Sequence, residues 1–248
     1  MHGGAHMYVI AHRGYRKRYP EHTMLAFQKA LEAGCDAIEI DVQLTKDGTP
    51  VLFHDEKLDA LTTGKGFVAE TSYEELQPLR IKKFHWGKRY KEPLVTLEAY
   101  FQWVKTTPLF TVMELKYYPS SKAGLEEAVL KLIASFDLSH RVILASFHWP
   151  ALETLHHLAP DLQKAWIFAP LKRGSFQNPS PLPLDFYHVK HTAMRKYHWQ
   201  FAKDNALKLT LWTVNCPLLW QRYLKRDLFG LITDDPNNLK KTMKRKGL

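Results

Sequence analysis

Residues 37–54 read AIEIDVQLTKDGTPVLFH and contain two apolar, β-branched runs separated by a turn. Ala37–Val42 and Val51–His54 each have the composition of a buried strand. The connecting segment TKDGTP is six residues long, whereas a crossover between parallel strands needs a dozen or more. Asp47-Gly48 within it is instead typical of a hairpin. Val51–His54 is therefore an excursion at the end of the preceding strand and not a further parallel strand.

Outside this stretch, short apolar runs alternate with helix-like segments, the pattern of a parallel sheet with crossover helices. The predicted strands are Tyr8–His12, Ala37–Val42, Phe110–Lys116, Val142–Phe147, Ala165–Ala169, Phe186–His191, Lys208–Val214 and Gly230–Thr233. The predicted helices are His22–Ala33, Thr96–Lys105, Leu125–Phe136, Pro150–Leu158, Met194–Asn205 and Pro217–Lys225. Arg80–Pro93 and Arg173–Pro183 are predicted loops. Eight β/α units predict an α/β fold, a TIM (β/α)8 barrel with a small hairpin excursion after the second strand.

Composition agrees with a single globular domain over residues 1–248. The chain is 45% hydrophobic and 24% charged, which excludes disorder for most of its length. No run approaches the ~18 apolar residues of a membrane span. MHGGAHM lacks the features of a signal peptide and allows two starts, Met1 or, if residues 1–6 are an expression remnant, Met7. Two cysteines are too few for a disulfide scaffold, so we expect a cytoplasmic protein.

The formal net charge of +10 leaves nucleic acid, a membrane surface and a small anionic substrate as candidate partners. No helix-turn-helix, zinc-finger or RNA-binding signature is present, so we expect no nucleic-acid partner. Basic residues at positions 13–18 follow the first strand, where they would attract an anionic substrate to the barrel mouth. The basic tail, residues 240–246, is predicted to be a solvated helix end that adds weak attraction to membrane surfaces at most. The oligomeric state is not predicted.

Charged residues interrupt strands that should be continuously apolar. Glu39 and Asp41 lie two residues apart on the second strand and so face the same way, as do Glu114 and Lys116 on the third. Three carboxylates at the barrel mouth would repel one another unless a cation lay between them. Their hard oxygen ligands predict a site for one divalent cation, Mg²⁺ or Ca²⁺. The alternative is that each carboxylate pairs with a nearby Arg or Lys.

Two of the 13 histidines, His12 and His54, each close an apolar run and precede a polar residue. Two histidines beside a metal could supply a general acid and a general base. Arg13 and Lys116 could hold phosphate oxygens, since guanidinium and ammonium groups both bind phosphate. A metal, two cations and two histidines together indicate cleavage of a phosphodiester.

The ordered motifs resemble those of the glycerophosphodiester phosphodiesterase family. They are Ala11-His12-Arg13-Gly14, Pro20-Glu21-His22-Thr23, Glu39-Ile40-Asp41-Val42, Asp47-Gly48, Val51-Leu52-Phe53-His54-Asp55, Thr62-Thr63-Gly64-Lys65-Gly66, Pro93 with Thr96-Leu97-Glu98, Glu114-Leu115-Lys116, Ser146-Phe147, Trp212-Thr213-Val214-Asn215, and Ile232-Thr233-Asp234 with Pro236. They run in order through most of the chain. The family fold is a TIM barrel, in agreement with the strand count.

The resemblance implies metal-dependent hydrolysis of glycerophosphodiesters to sn-glycerol 3-phosphate and an alcohol. His12 and His54 would be the acid/base pair, and Glu39, Asp41 and Glu114 the metal ligands. Substrate would be bound by Arg13, Lys116 and Trp212, the last as a wall beside the glycerol moiety. The chain departs from the family at His22, where Asn is usual, and at Ala60, where Arg is frequent.

Two other kinds of enzyme would use the same centre on a lipid, namely a lysophospholipase D and a phospholipase C-like phosphodiesterase. Both need an apolar rim for an acyl chain. The segment around Phe84 and Tyr90, or the pair Trp166 and Phe168, could supply it, although a packed loop and a core strand are the simpler interpretations. A non-catalytic barrel would not need the complete set of histidines and carboxylates.

Overall fold

The computed structural model describes residues 7–85, 87–169 and 182–247. Residues 1–6 and most of the predicted loop Arg173–Pro183 lie outside these ranges, so neither prediction about them is tested. No helix in the described ranges is long and apolar enough to cross a membrane.

Eight parallel strands of the described chain close into a barrel, in the order β1-β2-β6-β7-β8-β9-β10-β11 and back to β1. They are β1 (Tyr8–His12), β2 (Ala37–Leu44), β6 (Phe110–Leu115), β7 (Val142–Ser146), β8 (Gln163–Phe168), β9 (Phe186–Lys190), β10 (Leu209–Trp212) and β11 (Gly230–Thr233). Each overlaps one predicted strand, and the TIM-barrel prediction is confirmed. The barrel closes because Ile10 on β1 pairs with Ala37 on one side and with Ile232 on the other.

Helices surround the barrel. They are α1 (Met24–Glu32), α2 (Tyr73–Leu76), α3 (Leu97–Val104), α4 (Leu125–Phe136), α5 (Trp149–Leu158), α6 (Lys196–Asp204), α7 (Pro217–Tyr223) and α8 (Pro236–Lys244), with 3₁₀ turns at Val68–Glu70, Ser139–Arg141 and His191–Ala193. Side chains cap the first turns of α1, α2, α3 and α8. The hydroxyls of Thr23 and Thr96 accept hydrogen bonds from the first turns of α1 and α3. The basic tail continues α8, as predicted. The single-turn helix α2 was not predicted.

Two hairpins interrupt the alternation. Strand β3 (Pro50–Leu52) pairs antiparallel with β2, which confirms that the second apolar run is an excursion. Strands β4 (Arg80–His85) and β5 (Lys88–Pro93) form a separate antiparallel ribbon. The prediction of a loop over Arg80–Pro93 was therefore wrong.

The hydrophobic pattern did not predict the two strands of this ribbon because the ribbon buries little apolar surface. Ile81 is its buried anchor, packed against the small cluster that includes Leu58 and Val68, while most of its other side chains face solvent. The rest of the ribbon is held by main-chain hydrogen bonds between the two strands, which form with any side chain. Lys83 Nζ also donates to the carbonyl oxygen of Arg16, which ties the ribbon to the loop after β1.

The barrel interior is apolar at its lower end. Inward-facing residues from alternate positions pack into one cluster, formed by Ile10, Ala37, Val112, Ile143, Ala145, Ala165, Ile167, Phe186 and Ile232. Polar and charged side chains take the inward positions nearer the carboxyl ends of the strands. This end is where TIM barrels place their active sites.

Candidate active site

Three carboxylates meet at the carboxyl ends of β2 and β6. Asp41 and Glu114 are register partners on these adjacent strands, and Glu39 lies two residues before Asp41 on the same inward face. One ligand oxygen from each lies within 4.8 Å of the others, and all three side chains are buried. The structure thus brings together the three carboxylates predicted from the strand ends.

The electrostatics of this cluster suit a cation. Burial and the charge of Asp41 raise the pKa of Glu39 well above its usual range and raise that of Glu114 to about 8. Burial opposes ionisation of Asp41 too, but the His22 hydrogen bond and the Arg13 guanidinium hold its pKa well below the usual range. Asp41 Oδ1 is buried without a hydrogen-bond partner among the described residues. Three hard oxygen donors with a lone pair left over fit Mg²⁺ or Ca²⁺.

Arg13 and Lys116 border the carboxylates. Arg13 Nε lies 3.0 Å from Asp41 Oδ2, and Arg13 Nη1 donates to Glu21 Oε1 at 2.7 Å. Lys116 Nζ donates to Glu114 Oε1 at 2.8 Å and lies 3.6 Å from Asp41 Oδ1. The alternative to a bound cation, in which each carboxylate pairs with an Arg or Lys, is therefore realised in part. It does not satisfy the cluster, since three carboxylates share these two cations.

The tight loop after β1 aims Arg13 into the site. Arg13 has φ +54° and Gly14 has φ +85°. A Cβ on Gly14 would lie 2.8 Å from Ala26 Cβ, so this position needs glycine both for its backbone conformation and for the close approach of α1. The backbone N–H of Arg13 donates to Glu39 Oε2 at 3.1 Å, which ties the loop to the carboxylate cluster.

His22, the departure from the family pattern, supports the same cluster from below. Its φ of +55° is a left-handed conformation in which Asn and His are enriched among non-glycine residues. Its Nε2 lies 2.9 Å from Asp41 Oδ2, and the ring is fully buried. Burial lowers the pKa of His22, so the neutral ring donates from Nε2 to the carboxylate. His22 thus combines the left-handed backbone conformation with a hydrogen-bond donor to Asp41.

His12 and His54 line one pocket with the carboxylates, and each is oriented by an acidic partner. His12 Nδ1 lies 2.6 Å from Asp234 Oδ1, and His54 Nδ1 lies 2.6 Å from Asp55 Oδ1. These contacts assign the Nδ1 proton, which leaves Nε2 of each neutral ring as the acceptor. Burial lowers the pKa of both histidines, although their acidic neighbours oppose the effect.

The backbone around His54 is held by side chains of other elements. Gln43 Nε2 donates to the carbonyl oxygens of Phe53 and Asp55 at 2.7 and 2.9 Å. Tyr118 donates its hydroxyl proton to the carbonyl oxygen of His54. The excursion β3 therefore delivers His54 to the barrel mouth on a fixed segment.

The pocket enclosed by these residues has a volume of about 170 Å³. One side carries the carboxylates and cations of β1, β2 and β6, and the other carries Phe147, Ile167 and Trp212. The rings of Phe147 and Trp212 meet edge to face with centroids 5.5 Å apart. Trp212 thus lines this pocket. A larger cleft of about 460 Å³ lies beside Lys208 and Phe229 at the opposite end of the barrel, away from the carboxylate cluster.

Sequence reasoning gave no role to Asp55, which orients His54, and missed two further acidic residues that organise the site. Asp234 binds His12, Arg16 and Asn215, and Glu21 binds Arg13 and Arg16. Both occur in the motifs quoted above, and Asp234 directly follows β11, the same signal that identified the other carboxylates. The predicted basic attraction at positions 13–18 is correspondingly weaker, because several of these charges are already paired.

Comparison with known proteins agrees with this arrangement. A model of the Glycerophosphoryl diester phosphodiesterase family matches residues 12–238. The chain is 32% identical over 247 residues to a glycerophosphodiester phosphodiesterase of Caldanaerobacter subterraneus, covering 96% of this chain and 98% of the relative. It is also 32% identical over 232 residues to one of Bacillus altitudinis, covering 92% of this chain and 95% of the relative.

Solved structures share the fold. A crystal structure from Silicibacter pomeroyi superimposes with a TM-score of 0.87 at 24% identity, covering 100% of this chain and 96% of that one. An Oleispira antarctica phosphodiesterase in complex with the product sn-glycerol-3-phosphate superimposes with a TM-score of 0.82 at 23% identity, covering 96% of both chains. On the family match and these relatives, the chain belongs to the glycerophosphoryl diester phosphodiesterase family and is a phosphoric diester hydrolase.

Proposed function

We propose that this enzyme hydrolyses glycerophosphodiesters to sn-glycerol 3-phosphate and an alcohol, with a divalent cation and with His12 and His54 as the acid/base pair. The observation that carries the proposal is the shared pocket, which two histidines line together with Glu39 and Glu114 of the three-carboxylate cluster. The Oleispira antarctica phosphodiesterase, whose fold this chain shares, was solved with sn-glycerol-3-phosphate.

Glu39, Asp41 and Glu114 would hold the cation, Mg²⁺ or Ca²⁺. When bound, such a cation supplies charge stabilisation to phosphate oxygens and orients the substrate. Burial raises the pKa values of Glu39 and Glu114, and a bound cation would lower them again, so that all three carboxylates would be ionised beside Arg13 and Lys116.

Each histidine has the tautomer that its role requires. With Nδ1–H directed to Asp234 or Asp55, Nε2 of a neutral imidazole accepts a proton from the attacking hydroxyl or water. The second histidine, protonated at Nε2, donates to the departing alcohol. The carboxylate behind each ring stabilises the imidazolium that forms. Both histidines are held alike, so the geometry is compatible with direct water attack and with attack by a glycerol hydroxyl.

Arg13 and Lys116 would neutralise the phosphate, and Trp212 would pack against the glycerol moiety. Both cations are held in place by carboxylates, which restricts their side chains before substrate arrives. Preorganised charges of this kind stabilise developing negative charge without rearrangement during the reaction.

The pocket size favours a small substrate over a lipid. A volume of about 170 Å³ is below the ~300 Å³ at which pockets for drug-sized ligands begin. Trp166 and Phe168 stack on each other outside the barrel, in the layer beneath the helices, so they cannot line an acyl-chain rim. Phe84 is 68% exposed on the basic β4–β5 ribbon, and it is the feature that would favour a lysophospholipase D or phospholipase C-like activity.

The same proposal includes the extent of the domain, the cellular location and the attraction to membrane surfaces. One phosphodiesterase domain accounts for residues 1–248, since barrel strands run from Tyr8 to Thr233. A cytoplasmic location agrees with Cys35 and Cys216, both free thiols. The cations of the β4–β5 ribbon and of the tail would add weak attraction to anionic membrane surfaces.

The decisive assay measures release of sn-glycerol 3-phosphate and choline from glycerophosphocholine. In parallel it measures release of choline with lysophosphatidic acid, or of phosphocholine with monoacylglycerol, from lysophosphatidylcholine. Activity should disappear after EDTA and return with Mg²⁺ or Ca²⁺, with glycerophosphocholine the better substrate. His12→Ala and His54→Ala should each lose at least ~10²-fold in kcat, the usual contribution of acid–base catalysis. Near-normal turnover by a folded His54→Ala protein would refute the histidine assignment, and preference for lysophosphatidylcholine would establish the lipid alternative.

A further inference from the structure

A buried histidine that the proposed reaction does not use lies at the floor of the active-site pocket. His188 occupies an inward position on β9, level with Ile167 on β8 and Thr210 on β10. Its side chain has no solvent exposure and lines the same pocket as His12 and Glu114.

Neither ring nitrogen of His188 has a hydrogen-bond partner among the described residues. Burial alone lowers the pKa of this ring to about 3, so it is neutral and carries one donor and one acceptor. A buried polar group without a partner costs free energy comparable to a lost hydrogen bond. A bound molecule that supplied a hydrogen bond there would remove this cost.

The position of His188 in the pocket identifies which part of a substrate it would meet. The carboxylates and cations on β1, β2 and β6 take the phosphoryl group. The opposite wall is formed by Phe147, Ile167 and Trp212, and His188 is a polar side chain among these apolar ones. Trp212 Nε1 donates to the His188 carbonyl oxygen at 2.9 Å, which fixes this wall to strand β9.

We propose that His188 hydrogen-bonds a hydroxyl group of the glycerol moiety and so makes the enzyme selective for glycerol esters. This inference rests on the proposed function. An alcohol hydroxyl both donates and accepts, so it can pair with the ring nitrogen that it reaches whether that nitrogen is the donor or the acceptor. The moiety that reaches this wall must be uncharged, small and polar at one end. Glycerol meets all three conditions, whereas a choline group carries a charge and no hydroxyl once esterified.

The test, run beside cleavage of glycerophosphocholine and glycerophosphoethanolamine, compares binding of sn-glycerol 3-phosphate with binding of the phosphate monoesters of propane-1,2-diol and propane-1,3-diol. Each analogue lacks one hydroxyl, and a binding measurement does not depend on which group attacks phosphorus. Wild-type affinity should fall ~10–100-fold for the analogue that lacks the recognised hydroxyl. In His188→Leu this selectivity ratio should approach one, because the loss falls mainly on the glycerol ester. His188→Gln, which keeps a donor and an acceptor, should restore part of the ratio. His191→Leu is the matched control, since His191 follows the same strand but does not line the pocket, and it should keep the wild-type ratio.

A second measurement needs no substitution. The ring ¹⁵N resonances of His188 should shift when sn-glycerol 3-phosphate is titrated into the wild-type protein. Unchanged resonances, or a folded His188→Leu enzyme that keeps the selectivity ratio, would overturn the inference and leave the proposed function intact. A wild-type enzyme that cleaves none of these glycerol esters would overturn the proposed function, and the inference with it.

Discussion

Replacing Asp234 by Asn tests how much of the activity depends on the orientation of His12. Asp234 Oδ1 lies 2.6 Å from His12 Nδ1, and the carboxylate also binds Arg16 and Asn215. Asn keeps the size of the side chain but removes its charge. The amide can also present its NH₂ group to Nδ1, which would select the wrong tautomer of the imidazole.

The magnitude follows from the pKa of Asp234. Burial would raise this pKa, but the hydrogen bond and positive charge of His12, with help from Arg16, lower it from 3.8 to about 2. The difference corresponds to roughly 2 kcal/mol in favour of the ionised carboxylate. If most of it stabilises the His12 imidazolium during turnover, its loss reduces kcat by ~10–100-fold. Mutations of carboxylates behind functional histidines commonly cost this much.

The assay is steady-state release of sn-glycerol 3-phosphate across pH. Without the Asp234 charge the imidazolium is less stable, so the limb of the profile governed by His12 should move to lower pH, whether His12 is acid or base. Asp235→Asn is the matched control. Asp235 pairs with Lys17 and caps α8, and Asn caps equally well, so kcat should stay near the wild-type value. A folded Asp234→Asn enzyme with wild-type kcat and an unshifted profile would refute the reasoning, as would an equal loss in Asp235→Asn.

Three further predictions concern the metal, an ion pair and the backbone. Glu114→Gln should lose ~10²-fold or more in activity and bind Mg²⁺ or Ca²⁺ more weakly by calorimetry, because one of three ligand carboxylates is gone; unchanged metal affinity would contradict the site. Glu21, whose pKa is lowered from 4.5 to about 2 chiefly by Arg13 against the opposing effect of burial, contributes stability that is present above its unfolded pKa and lost as pH falls through about 2. Glu21→Gln should thus reduce the free energy of unfolding in urea by ~2–3 kcal/mol at neutral pH, and the difference should shrink in acid; a pH-independent difference would show that the charge is not the cause. Gly14→Ala should cost ~1–3 kcal/mol, since φ is +85° and the new Cβ would meet Ala26, and a wild-type melting temperature would exclude this strain.

The sequence alone determined the barrel and most of its catalytic end. Parallel strands must be apolar on both faces, so Glu39, Asp41 and Glu114 stood out as charges in otherwise apolar runs. The short connection before Val51 excluded a ninth parallel strand, because a crossover helix could not fit. These inferences used only the spacing of apolar residues and the length of one connection, which are local properties of the sequence.

The β4–β5 ribbon and the short helix α2 were beyond such reasoning. The ribbon has one buried anchor, Ile81, and a surface of cations, so its hydrophobic pattern is weak and its main-chain ladder leaves no trace in composition. Helix α2 is a single turn closed by a capping box between Ser72 and Glu75, too short for periodicity to appear.

What only the tertiary structure decided is the partnership of residues distant in the chain. Asp234 meets His12 across 222 positions because β11 and β1 are neighbours where the barrel closes. His188 became notable because β9 turns its side chain into the lumen, where neither ring nitrogen has a hydrogen-bond partner among the described residues. Residue identity determines which hydrogen bonds and charges a side chain can offer. Which side chains meet, and which polar groups are left without a partner, depends on closure of the barrel. Closure brings together residues far apart in the chain, and local sequence patterns do not show it.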